Sequence, residues 1–157
     1  MNLTDILKRA NIKVPLAAGE KNEAIKELVE LLAANKEVSS PDLVLASVLE
    51  RESIRTTGVG HGLAIPHSKC GGVKELTIAI GKPEQPIDFQ SLDGQPVYLI
   101  VLLVSPPDQT GAHIQSLARI SRLMTIDTFR SKLKAAKTPN DIFDTILAQE
   151  KTMAPEN

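Results

Sequence analysis

Apolar residues recur along this chain at two spacings, and the change from one to the other divides it. In the first third they fall at Ala24, Ile25, Leu28, Val29, Leu31 and Leu32. That three-and-four spacing predicts a helix over 20–35 with one buried face, stopped near Asn35. Ser40-Pro41 then places a capping hydroxyl before a proline suited to the first helical position. A second helix is predicted over 41–52, with Leu43, Val44, Ala46, Val48 and Leu49 on or near its inner stripe. A short helix over 3–10, capped near Asn2 or Thr4, precedes both.

From Ser53 the pattern changes. Residues 56–62 read as loop and 63–66 as a short strand. Residues 76–81 and 97–104 read as longer strands, the second an unbroken apolar run of the kind buried on both faces. A connection marked by Pro83, Pro86, Asp93, Gly94 and Pro96 joins them. After a loop over 105–111, three more helices are predicted over 112–124, 125–136 and 139–149, the last two separated at Thr138-Pro139-Asn140. The expectation is one α/β domain over 1–150, a small mixed β-sheet sandwiched by helices on both sides, with a flexible tail over 151–157. The early helical pair interrupts the regular alternation of a doubly wound fold.

Composition narrows the function classes. The chain has 157 residues, 42% hydrophobic and 24% charged, with a net charge of -1. A near-neutral chain lacks the basic excess of a general nucleic-acid binder. No apolar run reaches membrane-spanning length, and the N-terminus carries Asp5 and no long apolar region, so neither membrane insertion nor a secretory signal is expected. The single cysteine, Cys70, excludes an internal disulfide framework and fits a cytoplasmic setting. With no Trp, one Tyr and three Phe, the core must be aliphatic.

The candidate chemistry lies in Thr57-Gly58-Val59-Gly60-His61-Gly62-Leu63-Ala64-Ile65-Pro66-His67-Ser68. A glycine-punctuated turn runs into a short apolar segment that stops at proline, leaving His67 restrained at a strand end yet near solvent. Arg51, at the end of the second helix, and His113, near the start of a later one, could converge with His67 where strand ends and helix starts meet. Thr56, Thr57, Ser68 and the backbone amides of the glycine loop, Gly58 among them, could donate hydrogen bonds there. His61 reads as a surface loop residue. Cys70 reads as an incidental thiol, because its spacing from the histidines matches no standard zinc pattern and no metal is expected.

Arg51-Glu52, Thr57-Gly58-Val59-Gly60 and Gly62-Leu63-Ala64-Ile65-Pro66-His67, followed by Pro107-Asp108-Gln109-Thr110 and His113, resemble the fructose/mannitol class of phosphotransferase-system IIA domains. Within that class the chain looks most like the nitrogen-regulatory branch, and the resemblance covers roughly 3–148. It implies that His67 is the phosphoryl acceptor, that His113 orients or stabilises the phosphoryl group, and that Arg51 stabilises its charge. It further implies that the Thr57 hydroxyl can hydrogen-bond phosphate; Gly58 and Ser68 are the other phosphate-binding candidates, Ser68 standing where the family usually has Gly, Ala or Cys. The family's phosphoryl donor is a small histidine-phosphorylated carrier protein, and its regulatory targets include potassium-transport and sensor proteins. The alternative implied by the same resemblance is a sugar-transport IIA unit passing phosphate to a IIB cysteine. Neither role needs a cofactor.

Overall fold

Seven consecutive buried residues, Leu99–Ser105 (β6), form the strand on which the molecule is organised. The computed structural model describes residues 1–153. In chain order the other elements are β1 (Ile12–Leu16), α1 (Lys21–Ala34), α2 (Pro41–Ile54), β2 (Gly58–Gly60), β3 (Leu63–Ala64), β4 (His67–Lys69) and β5 (Thr77–Pro83), with α3 (Thr110–Leu123), α4 (Asp127–Ala135) and α5 (Pro139–Lys151) following β6. The strands form one mixed sheet in the order β1-β5-β6-β3-β2. β5 runs antiparallel to β6 on one flank. On the other flank β3 and β4 lie end to end, both parallel to β6, with Leu63 opposite Leu99 and His67 opposite Leu103.

Alternation along β6 divides the core in two. Ile100, Leu102 and Val104 pack into the layer under α1 and α2 with Ile25, Leu28, Leu32, Val44 and Val48. Leu99, Val101 and Leu103 pack into the layer under α3, α4 and α5 with Ile120, Leu123, Phe129, Leu133 and Ile142. Successive strand side chains point to opposite faces, so a strand buried on both must be apolar throughout. That is why the run over 97–104 has no polar alternation.

The expected α/β sandwich with a mixed sheet is the architecture found, and the helices over 20–35, 41–52, 112–124, 125–136 and 139–149 are all present within a few residues of their predicted bounds. Glu20 caps α1 by accepting from the Glu23 amide at 2.9 Å, and Thr138 caps α5 by accepting from Asp141 at 3.1 Å. The differences lie in the short elements. Residues 3–10 do not form an α-helix. Two single 3-10 turns stand there, Leu3–Asp5 and Arg9–Asn11, separated by extended backbone at Lys8. The first is held by the buried Glu150 carboxylate, which accepts from the amides of Leu3 (2.7 Å) and Thr4 (3.1 Å) and from Arg119 Nε (3.0 Å).

β1 is a strand that the sequence pattern does not announce. It contains Pro15, which an edge strand tolerates because no ladder donor is needed on its open side. Gly58–Gly60, read as loop, is a short strand antiparallel to β3. Gly58 serves there because a β-carbon would come within 2.9 Å of the Ser91 backbone. The strand expected over 63–66 ends at Ala64, and His67 opens β4 instead of closing β3. Of the tail expected over 151–157, Lys151 ends α5, Thr152 caps it and Met153 packs against the second core layer; the rest of that expectation lies outside the described residues.

Candidate functional site

β4 pairs with β6 alone, so its other side is an open sheet edge. α2 from one core layer and α3 from the other stand on either side of that edge. Together they enclose a cleft of about 480 Å³ whose lining includes Ser47, Glu50, Arg51 and Ile54 from α2, His67, Ser68 and Lys69 from β4, and His113 and Leu117 from α3. Four of the residues singled out from the sequence, Arg51, His67, Ser68 and His113, therefore share one cleft.

His67 is half-buried, and its Nδ1 lies 2.7 Å from the Ile65 carbonyl oxygen. A carbonyl only accepts, so Nδ1 carries the proton and Nε2 keeps its lone pair. Pro66 helps to place that carbonyl: it has no N–H, and its own oxygen accepts from the Leu103 amide at 3.0 Å, fixing the segment to β6. The His113 ring stands edge-on to His67, with centroids 5.5 Å apart and planes at 63°. His113 is buried, 4% exposed, and its Nδ1 is 2.7 Å from the hydroxyl of Ser105, the last residue of β6.

Burial lowers the pKa of both imidazoles. For His67 the burial effect is opposed by the Ile65 hydrogen bond and reinforced by Arg51. For His113 burial acts with the charges of His67 and Lys69, and its pKa falls to about 4. Both rings are then neutral near pH 7. The folded pKa of His113 lies below the usual 6.5, so the unfolded chain binds its proton first as pH falls. The stability associated with a neutral His113 is complete above about pH 6.5 and is lost progressively down to about pH 4, on the order of 2–3 kcal/mol. His113→Asn is expected to flatten that part of the stability–pH curve, measured by urea unfolding at several pH values. An unchanged slope between pH 6.5 and 4 would remove His113 as its source.

Thr57 and Gly58, expected as phosphate contacts, do not line the cleft. The Thr57 hydroxyl donates to Glu52 Oε2 at 2.6 Å and the Thr57 amide to Glu52 Oε1 at 2.9 Å. The Gly58 amide donates to Thr56 Oγ1 at 3.1 Å, and that hydroxyl in turn donates to the Phe89 carbonyl. These donors serve the loop itself. Thr57 instead supports His67 at one remove: its carbonyl accepts from the Ile65 amide at 3.0 Å, on the peptide unit before the one whose oxygen holds His67. The anchor is Glu52, 5% exposed and paired with Lys21 at 2.8 Å. Ser68 is in the cleft, but its hydroxyl is hydrogen-bonded to Ser47.

The residue pattern alone does not single out Lys69, Ser47, Ser105 or the anchoring role of Glu52. Lys69 was legible once His67 is taken to open a strand, because residues two apart share a face. Nothing local marks Ser105 or Ser47, each of which meets its partner on a different element, Ser105 with His113 on α3 and Ser47 with Ser68 on β4. Among the described residues no group of three or more His, Cys, Asp or Glu side chains could hold a metal ion, and no helix is long and apolar enough to cross a membrane. His61, exposed and in the left-handed region at φ 57°, lies in the turn between β2 and β3 and does not line the cleft.

Comparison with known proteins finds relatives over nearly the whole chain. The chain is 34% identical over 154 residues to the nitrogen regulatory protein of Bradyrhizobium diazoefficiens, covering 98% of this chain and all of that one. It is 32% identical over 151 residues to the fructose-specific EIIABC component of Bacillus subtilis, but it spans only 24% of that longer protein. Among solved structures, the nitrogen regulatory protein IIA-Ntr of Neisseria meningitidis matches with a TM-score of 0.83 and 29% identity over 92% of this chain and 98% of that one. The mannitol IIA of Escherichia coli shares the fold, with a TM-score of 0.76 over 89% of this chain and 98% of that one, at 19% identity. The family model described as phosphoenolpyruvate-dependent sugar phosphotransferase system, EIIA 2, matches residues 5–149, and the chain belongs to that family.

Proposed function

We propose that the protein is a phosphocarrier that accepts a phosphoryl group on His67 Nε2 from a histidine-phosphorylated carrier protein and acts in nitrogen-related regulatory signalling. The observation that carries this reading is the imidazole pair. His67 has its proton held at Nδ1 by Ile65, so Nε2 is free for attack, and a second neutral imidazole stands 5.5 Å away in the same cleft.

In the transfer, the His67 Nε2 lone pair forms the new N–P bond as the donor's N–P bond breaks and its electron pair returns to the donor imidazole. The His67 ring gains positive character, which the Ile65 carbonyl stabilises through Nδ1–H. Charge in the transition state spreads over the equatorial phosphoryl oxygens. With the Ser105 hydroxyl donating to His113 Nδ1, the His113 Nε2–H becomes a donor to those oxygens, and Arg51 supplies a cation. No nucleotide and no metal enters this transfer between imidazoles.

The regulatory assignment rests on relatives such as the Bradyrhizobium protein, whose whole length matches 98% of this chain. A second reading, a fructose/mannitol-type unit that passes phosphate to a IIB cysteine, is favoured by sugar-specific relatives with EIIABC in their names. One experiment addresses both. The protein is incubated with phosphoenolpyruvate, the first phosphotransferase enzyme and the carrier protein, and acid-labile phosphate is measured. Stoichiometric uptake is expected, and no uptake sinks the phosphocarrier reading. Adding membranes with sugar-transport components then separates the two roles. Regulatory function predicts no sugar phosphate, and its formation replaces that reading with the transport one.

A further inference from the structure

We propose that Lys69 is a phosphoryl-binding residue of this site, its ammonium following the phosphoryl group onto and off His67. The inference rests on the phosphocarrier reading. Residues 67 and 69 are two apart on β4 and so project to the same face of the strand, the face toward α3. Both line the cleft. The Lys69 ammonium touches Thr110 Oγ1, near the start of α3, at 3.5 Å, a distance at the outer limit of a hydrogen bond. Its charge nevertheless reaches across the cleft, since it is one of the causes that lower the His113 pKa.

Arg51 is placed differently. Its Nη1 donates to the Arg55 carbonyl at 2.9 Å, so the guanidinium is tied to the end of its own helix. The Glu50 carboxylate also belongs to the cleft. Were Arg51 the only cation, it would be set against Glu50, and the cleft would offer no net positive charge to an arriving dianion while both imidazoles are neutral. Lys69 changes that balance. A lysine head is a compact charge on a flexible four-carbon stem, which can follow a group that moves between two proteins. The two cations therefore divide the work: Arg51 is a fixed field and Lys69 a mobile one.

A cation on the phosphoryl oxygens lowers the pKa of the phosphoryl group's last ionisation. That pKa is read directly from the 31P chemical shift of the phosphorylated protein against pH. Lys69→Met is expected to raise the titration midpoint by about one pH unit and to slow phosphoryl transfer from the carrier by about ten- to a hundredfold. Lys69→Arg is expected to restore the midpoint. Lys69 is exposed, so circular dichroism and the thermal midpoint of both variants should match the parent.

An unmoved midpoint in Lys69→Met overturns the proposal. So does slowed transfer with an unmoved midpoint, which would assign Lys69 to partner docking. Phosphoramidate loads histidine chemically, so the titration can be run without the protein relay. An inactive relay would then sink the phosphocarrier reading alone, while the 31P titration still decides Lys69.

Discussion

His67→Ala protein, incubated with phosphoenolpyruvate, the first phosphotransferase enzyme and the carrier, is expected to gain no acid-labile phosphate. The loss is complete because the variant removes the only cleft imidazole whose free nitrogen is set by a backbone carbonyl acceptor. The fold should survive. His67 is half-buried, and its side chain is hydrogen-bonded to the Ile65 carbonyl, so the stability cost is about 1 kcal/mol. His113→Ala should behave differently. On the proposed transfer it removes a donor to the phosphoryl oxygens and leaves the nucleophile, so transfer should slow by roughly a hundred- to a thousandfold without disappearing. Undiminished labelling of His67→Ala would place the acceptor elsewhere. Equal loss in both variants would mean that His113 and His67 act as one unit.

Glu52→Ala is expected to destabilise the protein by about 3–5 kcal/mol, the usual cost of removing one partner from a buried charge pair. The carboxylate is 5% exposed and serves three donors: Lys21 Nζ, the Thr57 amide and the Thr57 hydroxyl. Its removal leaves the Lys21 charge and two Thr57 donors without that partner in a place that water reaches poorly. Against a total folding free energy of about 5–15 kcal/mol this is a large fraction. Urea unfolding measures it, and a loss under about 1 kcal/mol would show that the pair is not anchoring the loop. The same variant should also lower the transfer rate, because Glu52 fixes Thr57, Thr57 holds the Ile65 amide, and Ile65 holds His67. Glu52→Gln separates the two effects. It can still accept from Thr57, so it should keep much of the rate while losing the attraction to Lys21.

The longer elements were legible because their periodicity reports burial directly. Residues 24, 25, 28, 29 and 32 of α1 are the buried ones, and the unbroken apolar run of β6 correctly implied two covered faces. Pro15 hid β1, two glycines hid β2, and both are edge strands where the sequence has fewer packing demands to satisfy. At the site, the meeting of Arg51, His67 and His113 in one cleft was legible from the order of elements. The fate of Thr57 and Gly58 was not. A hydroxyl beside a glycine turn suits a phosphate contact as well as a loop anchor, and only the position of Glu52, brought back by the end of α2, decides between them. Ser105 illustrates the same limit. It closes an apolar strand, and its part in orienting His113 depends on how α3 packs back across β6.

The two walls of the cleft belong to different halves of the core. α2 is seated on the layer that contains Ile100, Leu102 and Val104, and α3 on the layer that contains Leu99, Val101 and Leu103. The cleft is thus a caliper whose jaws are mounted on opposite sides of a single blade, the sheet itself. Its gap depends on side-chain volumes in two separate apolar layers whose buried residues do not line it. Repacking Val44 or Val48 shifts one jaw, and repacking Ile120 or Leu123 shifts the other. Aliphatic changes beneath the helices can therefore alter the width of the cleft while leaving every polar group in it as it stands.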